Sequence, residues 1–283
     1  MDPSEPSRYL IPEWLERVIE DCKEEARYCY SIWPLKLLDK TTRRLVWNLC
    51  SKLSVQTKGV PGQACRLVEM YLAAHFYMQS LNYTTKEEWD GFRLLLVSRV
   101  PLVIASAIQL TAKMSSMGDR VGVSAIKRVL LTKGINYRTE DILSSEFEVL
   151  KTLKFRIPMW TSVEAAELFA VELNMPPVMV RGVGIIVDII EFHRYELEAD
   201  IIKTTSTYKE ALGKSKLRTM HMCAAAVLAT ARYLRYNGPD IAERLATLSR
   251  TPVTYLNCVS NLMLQYIEQD NEPLAIKRRK MIH

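Results

Sequence analysis

The hydrophobic positions of this chain recur at the helical period along most of its length, and nowhere do they alternate in the manner of a strand over a useful distance. In the stretch from Leu94 to Met114, LLLVSRVPLVIASAIQLTAKM, apolar residues fall on nearly every side of the predicted helix. Only Ser106, Gln109 and Lys113 make a thin polar strip, so this helix must be surrounded by others and is the expected hub. Ala105, Ser106, Ala107 and Ala112 are small enough to let neighbouring backbones come close, and Pro101 predicts a kink or a start within the run.

Ahead of the hub, the pattern predicts a loose polar tail over Met1 to Arg8. A helix follows, begun near Pro12 and carried by Leu15, Val18, Ile19, Cys22, Ala26, Cys29 and Trp33 until Pro34 stops it. A second helix runs from about Thr42 to Thr57 on Leu45, Val46, Leu49 and Leu53. Gly59, Pro61 and Gly62 separate it from a third, about Ala64 to Gln79, and Leu81 to Glu88 reads as a connector. The polar cluster from Ser115 to Gly118 ends the hub. Then come a short helix over Val123 to Leu131 and a longer one, capped by Thr139 and reaching Phe155, with Asp141 in the first turn where the helix dipole favours an acid. The expected fold class is all-α, built in bundles of five or so helices.

The second half repeats the first. Ala105-Ser-Ala-Ile-Gln-Leu-Thr-Ala-Lys113 lines up without a gap on Ala224-Ala-Ala-Val-Leu-Ala-Thr-Ala-Arg232, small residues on small and cation on cation. Around this second hub, Leu217 to Tyr236, the order of parts recurs: Val163 to Leu173, Val178 to Leu197, the hub, a short helix after Gly238 and Pro239, and Val253 to Ile267. Five helices followed by five point to an internal duplication. The expected division is an N-terminal tail and helix over 1–40, a first repeat over 41–158, a second over 159–270 and a basic tail over 271–283.

Composition narrows the picture without redirecting it. A chain of 283 residues, 48% hydrophobic and 25% charged, with ten glycines and twelve prolines, is globular and long enough for two domains that each bury a core. Its six cysteines form no CxxC pair and no hydrophobic signal segment opens the sequence, so a reducing cytosolic or nuclear compartment is expected, without disulfides. The net charge of +6 permits an acidic partner but lacks the dense basic stripe of a dedicated nucleic-acid binder. Between Arg99 and Lys113 the uncharged run is about a dozen residues, short of the roughly 20 that cross a bilayer, so no membrane association is expected.

Catalytic patterns are incomplete wherever they begin. Gly213-Lys214-Ser215 resembles the end of a phosphate-binding loop, but Tyr208 stands where the opening glycine belongs. Gly182-Val-Gly184 lacks its third glycine, at Val187, and follows no strand. Gly122-Val-Ser124-Ala-Ile lacks the last glycine of a nucleophile elbow. His75, His193, His221 and His283 are far apart, and Cys22 and Cys29 are spaced for helix packing instead of zinc, so no metal and no other cofactor is expected. The chain is not expected to be an enzyme.

With the duplicated hub in hand, the chain resembles the cyclin family, whose fold is two tandem five-helix repeats, each wrapped around a central third helix. Leu110-Thr-Ala-Lys113 stands where cyclins end that helix on Ala-Ser-Lys, and Ile142-Leu-Ser-Ser-Glu146-Phe-Glu-Val-Leu-Lys-Thr-Leu-Lys-Phe155 is similar to the fifth helix of a first cyclin box. Within the family the similarity is to a crossover-associated meiotic member, from about Leu94 to Trp160, including Leu150-Lys-Thr-Leu-Lys-Phe-Arg-Ile157. The resemblance implies a non-catalytic regulatory protein that binds a cyclin-dependent kinase. It also implies work with meiotic recombination proteins at designated crossover sites on chromosomes in the nucleus. It assigns Lys113 and Glu146 to kinase contact. Glu146 also falls inside an apolar stripe of Ile142, Leu143, Val149, Leu150 and Leu153, where a carboxylate needs a cation, and Lys113 is the candidate that the resemblance singles out.

Departures from the family pattern accompany the likeness. Arg43-Arg-Leu-Val-Trp47-Asn replaces the cyclin Met-Arg-Ala-Ile-Leu and Asp-Trp, which puts the docking patch for substrate peptides in doubt. Leu72-Ala73-Ala74 stands near the usual Asp-Arg-Phe, so a polar contact within the box is expected to be missing. No destruction-box motif is found in the N-terminal tail, which argues against a cell-cycle oscillator. Lys277, Arg278, Arg279 and Lys280 form a basic run that fits either nuclear import or a solvated tail. Two other functions stay open: a two-repeat transcription-initiation-type factor that binds DNA and protein directly, and a generic kinase-activating cyclin.

Overall fold

A computed structural model describes residues 8–30, 38–55, 57–115, 121–205 and 218–280, leaving aside the side chains of residues 8, 24–30, 80, 205 and 269–280. Among the described residues every regular element is helical. A short turn at Arg8–Leu10 leads into twelve α-helices: α1 Ile11–Tyr30, α2 Lys40–Lys52, α3 Val60–Ser80, α4 Lys86–Met114, α5 Val123–Leu131, α6 Thr139–Thr152, α7 Ser162–Glu172, α8 Pro177–Phe192, α9 Arg194–Thr205, α10 Thr219–Tyr233, α11 Ile241–Ser249 and α12 Val253–Lys280. The all-α expectation holds. The chain divides into two compact units, one of Lys23–Thr161 and one of Met1–Cys22 with Ser162–His283.

In the unit Lys23–Thr161, helix starts follow local chemistry. Asp39 caps α2 by accepting from the Thr42 hydroxyl at 2.7 Å and the Thr42 amide at 2.9 Å, which together hold its carboxyl below the usual range. α3 begins at Val60, earlier than expected, because Gly59 turns with φ +79 and Pro61 fits a first helical turn. α4 begins at Lys86, eight residues ahead of the sequence reading. Thr85 and Glu88 explain this: Glu88 N–H donates to Thr85 Oγ1 at 3.3 Å, and Thr85 N–H donates back to Glu88 Oε2 at 3.0 Å. Pro101 lies inside the helix.

The hub proper is narrower than expected. Leu102 to Ala112 is buried all round, whereas Leu94, Leu95 and Val97 face solvent. By length and composition α4 is long enough to cross a membrane, and 61% of its most apolar stretch is buried inside the protein. Around it α2, α3, α5 and α6 contribute Val46, Leu49, Leu67, Tyr71, Ile126, Ile142, Val149 and Leu153, all buried. A polar contact is made one turn before Leu72-Ala73-Ala74, where Arg43, 2% exposed, pairs with Glu69 at 2.7 Å across α2 and α3. Removing one member of so buried a pair costs about 3–5 kcal/mol.

Six helices end alike. After α2, α5, α6, α7, α10 and α11 a residue takes positive φ (Ser54, Gly134, Lys154, Asn174, Arg235, Arg250). The amide after it bonds the carbonyl five residues back, as Val55 to Cys50 or Met175 to Ala170, at 2.8–3.1 Å. This closure is why α2 stops at Lys52 instead of Thr57.

The other unit surrounds α10, buried from Met222 to Ala231. The N-terminal part of α1 is counted with it: Ile11, Leu15, Val18, Ile19 and Cys22 are buried, and Glu16 pairs with Arg250 at 2.8 Å. The helix expected over Val178 to Leu197 is broken at His193 into α8 and α9. The break turns Arg194 inward, where it meets Glu191 at 3.5 Å and Glu198 at 3.1 Å, while Ser162 Oγ donates to Glu191 at 2.5 Å. Gly184 of the incomplete nucleotide motif has a packing role: a Cβ there would lie 2.9 Å from Glu167 Oε1 and 3.1 Å from Val163 Cγ1 of α7.

Candidate partner-binding site

Three polar contacts tie α4 to α6. Arg99 meets Glu148, Ser106 Oγ donates to Ser145 Oγ at 2.9 Å in the interior, and Lys113 Nζ meets Glu146 Oε1 at 2.6 Å. The small Ser106 and Ser145 let the two helices approach closely, which carries the end of α4 to the outer face of α6. The two residues singled out from sequence are therefore brought together. Lys113 closes α4, where the helix dipole favours a cation. Its side chain is 49% exposed and that of Glu146 13%, so the carboxylate is largely covered and the ammonium is in reach of solvent.

The stripe around Glu146 divides differently from the sequence reading. Ile142, Val149 and Leu153 face the core, together with Ser145, but Leu143 is 51% exposed. The physical reason is angular: Leu143, Glu146, Phe147 and Leu150 share the outer half of α6, at spacings of three and four. Phe147 is 58% exposed. Against its edge lies Phe155, ring centroids 6.2 Å apart, and Met114, next to Lys113, and Met159, four residues after Phe155, are exposed too.

Phe155 is the unusual member. At the other five helix ends of this type, the residue after the left-handed one is buried, as with Met175 and Thr251, or half-buried, as with Val55, Ile135 and Tyr236. Here Lys154 and Phe155 both have positive φ, +52 and +57, which throws the ring outward to 63% exposure. A bulky residue in that region costs on the order of 1–2 kcal/mol, and an exposed ring adds to the cost. Backbone strain and lost burial are thus concentrated at one spot. Gln63, Thr111, Met114, Ser115, Ile157 and Pro158 line a small cleft at the end of α4, and the Thr111 hydroxyl oxygen, 3% exposed as a residue, has no hydrogen-bond partner there.

Behind the ion pair is a second layer the sequence reading missed. Glu148 accepts from Tyr71 at 2.8 Å as well as from Arg99, and Tyr71 stacks on His75 at 5.3 Å. Burial, then the bond to Glu148, pushes the Tyr71 hydroxyl up, and burial holds His75 below its ordinary value. Glu148, two residues beyond Glu146, points away from it on a helix, and that spacing is the signal available in the sequence.

Other candidates come apart or fall outside. Lys277, Arg278, Arg279 and Lys280 close α12, and their side chains lie outside the described residues. Gly213-Lys214-Ser215 lies wholly outside them. Among the described residues no three His, Cys, Asp or Glu side chains are gathered as metal ligands.

No family model matches the chain. It is similar to human cyclin N-terminal domain-containing protein 1, with 27% identity over 118 residues, covering 39% of this chain. The matched stretch is 36% of that protein's own length. A likeness of this size supports a cyclin-like relationship.

Proposed function

We propose that this protein is a non-catalytic, cyclin-like regulatory subunit that binds a cyclin-dependent kinase through the outer face of α6 and the end of α4. The observation that carries the reading is the Lys113–Glu146 pair set among the exposed Leu143, Phe147 and Phe155. An exposed apolar patch around a half-covered ion pair suits a protein partner: the rings supply area to bury, and the pair orients a backbone or polar group laid across it. The likeness to a cyclin domain-containing protein supports the kinase as that partner.

The test is association with purified cyclin-dependent kinases. Glu146→Gln is nearly isosteric and Phe155→Ser removes the outward ring while easing the strained turn. Both are expected to stay folded and to lose at least about tenfold in kinase affinity. Folded variants that bind a kinase as tightly as the parent, or a parent that binds none, overturn the reading.

On the same basis the protein acts in the nucleus on meiotic chromosomes, with recombination proteins at designated crossover sites. Loss of the gene then leaves recombination initiation intact while crossovers fail, and normal crossover numbers in the null overturn the role. If Lys277, Arg278, Arg279 and Lys280 are an import signal, the basic tail carries a cytosolic reporter into the nucleus; a reporter that stays cytosolic removes that signal.

A further inference from the structure

The two hubs carry a threonine at one aligned position, Thr111 and Thr230, and treat its hydroxyl differently. Thr230 Oγ1 donates to the carbonyl of Ala226, four residues back, at 2.8 Å, the usual way for a helix to satisfy a buried threonine. A helix offers every threonine this internal acceptor through one side-chain rotation. Thr111 makes no such bond to Ala107: it is 3% exposed, and its hydroxyl oxygen is buried with no partner in the protein. An unmatched buried hydroxyl is unfavourable, so a group from outside is the natural complement.

Thr111 lines the cleft at the end of α4, in the unit Lys23–Thr161. Two other polar side chains of the wall are already committed. Gln63 donates to the Pro158 carbonyl at 2.9 Å and accepts from Arg66 at 2.6 Å, and Ser115 Oγ donates to the Ala112 carbonyl at 3.0 Å. Met114, Ile157 and Met159 make the wall largely apolar, and among the described residues no charged side chain lines it. The space holds one group of about the size of a water molecule. Met114 and Met159 are 41% and 65% exposed, so flexible side chains stand at its edge and adjust to an occupant.

Building on the proposed kinase binding, we infer that this cleft receives a serine or threonine hydroxyl of the kinase, which completes the hydrogen bond that Thr111 leaves open. Met114 directly follows Lys113, so a protein laid over the Lys113–Glu146 pair at the end of α4 has the cleft within its footprint. Size and polarity select the occupant. A charged end would be desolvated against the methionines without a counter-charge, and an aliphatic end would leave Thr111 unmatched. A main-chain amide needs room for the chain on both sides of it. A hydroxyl is as small as the space and either donates to Thr111 or accepts from it.

The test compares the full chain with Thr111→Val, Thr111→Ser and Thr230→Val, by thermal unfolding of each alone and by affinity for a purified cyclin-dependent kinase. Thr111→Val exchanges an unmatched hydroxyl for a methyl of like shape. It is expected to leave unfolding unchanged or shift it upward while weakening kinase binding about tenfold. Thr111→Ser keeps the hydroxyl and is expected to keep the affinity, and Thr230→Val, in the other unit, is expected to leave it unchanged. A Thr111→Val protein that unfolds earlier and binds as tightly as the parent overturns the proposal, because the hydroxyl then holds only a solvent molecule. Affinity lost equally in Thr111→Ser, or in Thr230→Val, overturns it as well. Binding weakened by Glu146→Gln but not by Thr111→Val removes this inference alone, whereas a parent that binds no kinase removes it together with the kinase reading.

Discussion

The two hub helices each carry a cation in the last turn, at positions that align without a gap, and each end is finished differently. Lys113 finds a carboxylate, Glu146, on a helix whose outer face also shows Leu143 and Phe147. Arg232 finds two asparagines and a serine on an uncharged helix with no large exposed apolar side chain from Val253 to Ile267. Both hub helices thus end on a basic residue at the negative end of the helix, while the helix that each one meets differs. Where the partner carries charge and exposed rings, the end can be an oriented recognition face. Where it carries amides, the cation stays electrically open.

The largest effect that sharpens this comparison lies beneath the second hub. Glu191 is fully buried and bonded to Arg194 and Ser162. Glu191→Ala leaves the buried Arg194 with Glu198 as its carboxylate and the Ser162 hydroxyl without its acceptor, and is expected to cost up to about 3–5 kcal/mol. Hydrogen exchange should report the loss in the amides of α10. An unchanged α10 would mean the ionic cluster is dispensable to that hub.

The hubs themselves differ in bulk. The alignment sets Leu110, 4% exposed, against Ala229, fully buried. Leu110→Ala is expected to lose about 2–5 kcal/mol by opening a cavity. Ala229→Leu is expected to lose about 1–3 kcal/mol, because the helices around α10 have closed onto a smaller residue. If Ala229→Leu is neutral in thermal unfolding, the second hub is looser than its burial indicates.

Acid should act on the second unit through His221. Burial, with Arg218 as a smaller cause, lowers its pKa from 6.5 to about 4, and its ring lies edge-on to Tyr255 at 5.5 Å. The unfolded chain therefore takes up this proton first. Stability is full above about pH 6.5 and falls as the pH drops towards 4, by at most about 3 kcal/mol. Burial shifts His75 in the first unit in the same direction. His221→Asn should flatten the slope of denaturant midpoint against pH across this window, and an unaltered slope would assign acid sensitivity elsewhere.

Periodicity and small-residue alignment made the helical class and the two hubs legible, because each depends on local spacing; that Glu146 needs a cation followed from its apolar stripe, but Lys113 was singled out by the cyclin resemblance. The early start of α4 was written in Thr85 and Glu88 but masked by the polarity of that turn, which reads as connector. The exposure of Leu94, Leu95 and Val97 was not legible, since a run of apolar residues does not say which sides have neighbours. Nor was Phe155. The sequence Leu-Lys-Phe offers no glycine to announce a left-handed pair, and the outward turn of the ring is set by tertiary context.

The smallest expected effect tests the comparison most directly, by exchanging the chemistry of the two ends. Glu146→Gln keeps an acceptor beside Lys113 but removes the charge, making the first end like the second. Asn257→Asp gives Arg232 a carboxylate, making the second end like the first. Because Lys113 is half exposed and Arg232 is also reached by solvent, each Coulombic change is screened and should stay within about 1 kcal/mol. The signs are opposite: Glu146→Gln destabilises slightly and Asn257→Asp stabilises slightly, both shrinking as salt rises. Thermal unfolding of the two variants and their double mutant checks this, and the effects should add, since the substitutions lie in different units. A loss of several kcal/mol for Glu146→Gln would mean that the ion pair holds α4 to α6 as an internal strut. The exposed rings beside it would then have to be explained without a partner.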